Sequence, residues 1–79
     1  MERKEVSEED LLILLNAELS KHNEMNQVVF SSIERLAEPD RTGCNWSRAH
    51  VKSSRVPHHI TAPVTGGIVA EARKKYNVK

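Results

Sequence analysis

Apolar residues along this chain keep two different rhythms, and each predicts a different element. Leu11, Leu12, Leu15 and Leu19 recur at steps of three and four, which at 100° per residue places them on one stripe of a helix. Ser7 stands just ahead of Glu8, Glu9 and Asp10. A hydroxyl there can accept a backbone N–H while the three acids meet the positive end of the helix dipole, so the pattern predicts a helix from Ser7 to about Lys21, closed by His22 and Asn23. Ile13, Leu14 and Ala17 fall outside the stripe, among Asn16, Ser20 and Lys21. The apolar arc is therefore wider than one neighbour covers in a monomer. These three residues are expected to form an interaction surface, most simply against another copy of the chain.

The second rhythm is that of a strand. Gln27 to Leu36 is rich in β-branched and aromatic residues, which suit a pleated, half-buried surface. Its alternation is unclean: Val28, Phe30 and Leu36 share one face and Val29 and Ile33 the other, leaving a helix through Phe30, Ile33 and Ala37 as the alternative. Glu38-Pro39-Asp40-Arg41-Thr42-Gly43 has the residues of a hairpin loop. Cys44 to Val51 then returns as a second strand, with Trp46 near the loop and Ala49 and Val51 on the opposite face.

After Ser53, Ser54 and Pro57 interrupt regular structure, the row Ile60, Val64, Ile68, Ala72 and Tyr76, joined by Val69, predicts a second helix from about Thr61 to Tyr76, ended by Asn77. Pro63 is tolerated there because it falls in the first turn. Gly66 and Gly67 each cost roughly 1 kcal/mol inside a helix, so this first part is expected either to pack closely against a neighbour or not to be fully helical. The first six residues, polar and uncapped, are expected to be a frayed tail. The expectation is an α+β fold of α-β-β-α order in a single domain over residues 7–79, both helices covering the hairpin.

Length sharpens this picture. A chain of 79 residues hides only about 60 to 65% of the surface its unfolded form exposes. One Phe, one Trp and one Tyr supply its aromatic bulk, so the core must be thin and built from Leu, Ile and Val. Two strands alone make a weak sheet. Pairing with a second hairpin, or packing of the over-wide first helix against its symmetry mate, would repair both deficits, and a homodimer is expected.

The net charge of +1 conceals a split. Residues 1–40 carry ten acids against four bases, a balance of −6, and residues 41–79 carry eight bases against Glu71 alone, a balance of +7. Such asymmetry raises an anionic partner, with Arg48, Lys52 and Arg55 on or after the second strand and Arg73, Lys74 and Lys75 near the chain end as candidate nucleic-acid contacts. A plainer reading competes: cations at a helix C-terminus are favoured by the dipole in any protein, and the acidic helix can neutralise the basic hairpin.

Candidate chemistry is sparse. Cys44, His50, His58 and His59 are zinc-ligand types, but only the adjacent His58-His59 pair is close in sequence, and adjacent rings do not readily converge on one ion. No metal site and no cofactor are expected. A lone Cys–His pair lacks the third, orienting group of a nucleophilic site, so no enzyme activity is expected. Thr65-Gly66-Gly67 could offer backbone N–H groups to an anion if a helix began at Ile68, yet it lacks the spacing of a phosphate loop. No segment approaches the roughly 20 apolar residues of a membrane helix, and the unpaired Cys44 suits a reducing compartment, so a cytoplasmic location is expected.

Gly43-Cys44-Asn45-Trp46-Ser47 after an acidic turn, together with the terminal Ala70-Glu71-Ala72-Arg73-Lys74-Lys75-Tyr76-Asn77-Val78, resembles a class of short uncharacterised bacterial proteins. The resemblance covers about residues 11–79. It implies a free-standing cytoplasmic protein and brings no activity or catalytic residue with it. The function expected from the residues is that of a non-catalytic interaction or accessory protein that self-associates; the alternative is nucleic-acid binding through the basic half.

Overall fold

A computed structural model describes residues 3–22, 28–53 and 57–79, with the side chains of Ser53 and His58 left aside. The order is β1 (Lys4–Val6), α1 (Glu8–Leu19), β2 (Val28–Arg35), β3 (Trp46–Ser53), α2 (His58–Lys75) and β4 (Tyr76–Val78). The fold is α+β, with an antiparallel β2–β3 hairpin packed by both helices.

Ser7 caps α1 as its sequence context predicts: its hydroxyl accepts the Asp10 N–H at 3.1 Å, and Glu8, Glu9 and Asp10 occupy the first turn. Leu11, Leu15 and Leu19 are buried and Leu12 packs at the edge of the core. Asn16 then ties this helix to the hairpin. Its Nδ2 donates to the Phe30 carbonyl at 3.2 Å and its Oδ1 accepts the Phe30 N–H at 2.8 Å, so the amide stands in for a neighbouring strand along the edge of β2.

The irregular alternation of the hairpin has a specific cause. Register runs Val29–Lys52, Phe30–Val51, then Ser32–His50 and Ile33–Ala49, leaving Ser31 as an extra residue. This bulge shifts the phase by one, so Val28, Phe30 and Ile33 are buried together. A second shift, between Glu34–Arg48 and Arg35–Trp46, brings Trp46 into the core beside the half-buried Ala49 and Val51. The expected split of Ile33 from Phe30, and of Trp46 from Ala49 and Val51, is thus corrected: strict period-two counting fails across a bulge.

The second helix begins at His58 and ends at Lys75, earlier at both ends than its apolar row suggests. Its inward line is Thr61, Thr65 and Ala72, with Ile68 and Val69 packed beside them, while Ile60 is 42% exposed. A strict four-residue row drifts by about 40° per step on a helix of 3.6 residues per turn, so the buried line mixes steps of three and four. The expected close packing at the glycines is also corrected. Gly66 and Gly67 lie in mid-helix, exposed, with nothing within 4 Å of where a Cβ would sit. That position equally removes the idea of a helix N-terminus after Gly67.

The largest departure concerns the termini. Lys4–Val6, expected to be part of a frayed tail, pairs in parallel with Tyr76–Val78, in register Lys4–Tyr76, Glu5–Asn77 and Val6–Val78. Val6 and Val78 are buried in the core, and the Lys79 N–H donates to the Val6 carbonyl at 2.8 Å. The chain does not end its order with the helix: Tyr76 turns to extended backbone (φ −132°, ψ 146°) and carries straight into β4.

Candidate functional site

Two clusters of named residues stand out, and they differ in kind. The first joins the two segments on which the resemblance rests, Gly43–Ser47 and Ala70–Val78. Asn45 donates through Nδ2 to the Val78 carbonyl at 2.7 Å and accepts the Val78 N–H on Oδ1 at 2.9 Å. Asn77 returns the contact, donating to the Gly43 carbonyl at 3.0 Å and accepting the Asn45 N–H at 3.3 Å. Trp46, wholly buried, donates its indole N–H to the Tyr76 carbonyl at 3.0 Å, and Arg73 Nε donates to the Trp46 carbonyl at 2.9 Å. The pairing of these segments had no signal in either sequence alone, because each half is complementary only to the other.

Asp40 organises the loop beneath this clasp. Its Oδ1 accepts from the Thr42 N–H at 2.9 Å, the Thr42 hydroxyl at 2.6 Å and the Cys44 N–H at 3.2 Å, and its Oδ2 meets the Arg73 guanidinium. The Thr42 hydroxyl, more than any other group, holds the Asp40 carboxyl down to about 2; the backbone N–H groups of Thr42 and Cys44 and the charge of Arg73 add to it against the opposing effect of burial. Gly43 closes the turn at φ 90°, a left-handed conformation that glycine adopts without strain. Arg3 crosses over, donating to the Arg73 carbonyl at 2.6 Å and the Thr42 carbonyl at 2.7 Å. Cys44 is buried with its thiol on the Trp46 carbonyl at 3.3 Å.

The second cluster is apolar and unsatisfied. Ile13 is 60% and Leu14 37% exposed, and Ala17 is exposed on the same helix. Leu14 continues into a groove of about 430 Å³ between α1 and α2, floored by Leu15, Val64, Ile68, Ala72 and Tyr76. Gly67 leaves one wall bare, and Glu18, Glu71 and Lys75 stand at the rim.

Among the described residues, the basic candidates fall in different surroundings. Arg73 faces the loop, donating to Asp40 and Trp46. Arg48 pairs with Glu34 at 2.7 Å on the outer face of the hairpin, holding the Glu34 carboxyl below its ordinary range through that hydrogen bond and its charge. Lys74 pairs with Glu71 at 3.5 Å, Lys75 lies on the groove, Lys52 is exposed on β3, and Arg55 falls outside the described residues. His50 lies 3.4 Å from Glu34, far in role from the buried Cys44, and His59 is exposed in the first turn of α2. Among the described residues no group of three or more His, Cys, Asp or Glu is placed to hold a metal ion, and no helix is long and apolar enough to cross a membrane.

The chain matches no protein-family model, no curated protein and no solved structure.

Proposed function

We propose that this chain is a non-catalytic interaction or accessory protein, acting in the cytoplasm, that associates with itself through the outer face of α1. The observation that carries the reading is the exposure of Ile13 and Leu14 on α1, with Leu14 lining the α1–α2 groove. Apolar side chains standing next to an apolar groove are what a protein interface looks like before its partner arrives. A two-fold contact suits this layout, since Ile13 of each copy can enter the groove of the other, and each acidic α1 can lie near the other copy's Lys75. The cytoplasmic assignment is supported by Cys44, a buried free thiol in a small fold that has no disulfide partner to use.

The test is sedimentation of the full chain. A species of about 18 kDa, twice the 9.0 kDa of one chain, supports the proposal, and a single 9.0 kDa species at tens of micromolar overturns it.

A further inference from the structure

The two edges of the hairpin are treated differently. Along β2, Asn16 takes both main-chain groups of Phe30. Phe30 stands opposite Val51, and in an antiparallel pair whose groups point outward on one strand they point outward on the other as well. The N–H and C=O of Val51 therefore lie on the outer edge of β3. Beside that edge runs a second groove, about 370 Å³, between β3 and α2, lined by residues 48–51 of β3, Arg48 and His50 included, and by Ala62, Thr65, Gly66 and Val69 of α2. Thr65 turns its hydroxyl to the Thr61 carbonyl at 3.0 Å, and Gly66 has nothing within 4 Å of its missing Cβ.

We propose that the edge of β3 and this groove accept an extended peptide in which acidic residues alternate with small apolar ones, added as a third strand to the hairpin. An added strand alternates its side chains between the two faces of the sheet. On the helix side they enter the groove over Gly66, against Val51 and Val69. On the other side they stand beside Arg48, His50 and Lys52, the exposed residues at alternate positions of β3. Glu34 already neutralises Arg48 and faces His50, so Lys52 supplies the surplus positive charge that selects acidic residues.

Self-pairing of two β3 strands fits less well, because β3 carries no acidic residue to meet Lys52 of the other copy. A nucleic acid fits less well too: it has no strand backbone to offer the edge of β3.

The experiment uses fluorescence anisotropy with a labelled heptapeptide of alternating glutamate and valine, a lysine–valine counterpart, and a single-stranded oligonucleotide. The glutamate peptide is expected to bind saturably below about 1 mM and at least about tenfold more tightly than the lysine peptide. Lys52→Glu, which reverses the rim charge, and Gly66→Leu, which fills the groove, should each weaken it about tenfold or more. Gly66→Leu enters open space and replaces a poor helix former, so an unchanged circular dichroism spectrum and a raised thermal midpoint verify that the fold is kept. The Ile13→Lys variant should bind the peptide like the parent, which separates this surface from the α1 face.

The proposal is overturned by no saturable binding up to about 1 mM, by equal affinity for the two peptides, or by undiminished binding in Gly66→Leu. Loss of binding in Ile13→Lys would move the peptide to α1 and overturn it as well. So would an oligonucleotide that displaces the peptide and responds to Lys52→Glu but not to Gly66→Leu.

Discussion

Around Asn45, the polar groups of the loop and the last strand are matched to one another, side-chain amide to backbone and indole to carbonyl. Along α1 and α2 the reverse holds: Ile13, Leu14 and Ile60 stand in water, and two glycines leave bare helix with open space above it. The clasp is thus a finished piece of structure, while the helical face carries apolar surface that the fold itself does not use. Composition points the other way. The unusual residues, Cys44, Asn45 and Trp46, hold the chain together, and the candidate interaction surface is made of ordinary Ile, Leu, Ala and Gly. A distinctive motif marks a demanding local geometry, which can serve folding as readily as binding.

This contrast breaks first at Trp46. Its side chain is fully buried and its N–H is bonded, so Trp46→Ala should lower the unfolding free energy by about 3 to 5 kcal/mol in a urea titration. For a chain this long that is a large part of a total of roughly 4 to 12 kcal/mol. A loss under about 1 kcal/mol would remove the clasp from the centre of the fold. Asn45→Ala is the next step down. It strips both partners from the Val78 backbone, and a loss of about 1 to 3 kcal/mol is expected, with faster hydrogen exchange at the Val78 amide.

Substitution on the helical face should act in the opposite direction. Gly67→Ala meets no neighbour within 4 Å and should raise stability by about 1 kcal/mol, measured by thermal unfolding. A destabilised variant would mean that the bare helix is already packed against something.

The smallest effect concerns acid. The folded-state pKa of Asp40 is lowered from 3.8 to about 2, so the stability this group contributes is complete above its ordinary value and drains away as pH falls from about 4 to about 2. Thr42→Val removes the hydroxyl that contributes most to the lowering, and the Asp40 carboxyl should then titrate closer to 3.8 by NMR. An unmoved titration would assign the effect to the backbone N–H groups and Arg73 instead.

The two amphipathic helices and the hairpin were legible because each declares itself locally, through Ser7 and the leucine stripe, through β-branched residues, and through the turn at Pro39–Gly43. The face assignments inside the hairpin were not, because the extra residue at Ser31 shifts the phase and nothing in Phe30-Ser31-Ser32-Ile33 announces it. β1 and β4 span three residues each, too short for any period, and they exist through a pairing between the two ends of the chain. The outward position of Ile13, Leu14 and Ala17 follows from helix geometry alone, whereas the groove that Leu14 lines requires α2 to be in place. The basic residues read as two groups in sequence, and their acidic partners were not legible there: Arg73 meets Asp40 of the loop and Arg48 meets Glu34 of the facing strand.

Sedimentation equilibrium of the parent chain beside Ile13→Lys tests the division of labour between the two regions most directly. The account predicts a parent of about 18 kDa, twice the 9.0 kDa chain, and a variant of 9.0 kDa with an unchanged far-ultraviolet circular dichroism spectrum. A parent that stays at 9.0 kDa at tens of micromolar, or a variant that assembles as the parent does, would contradict it.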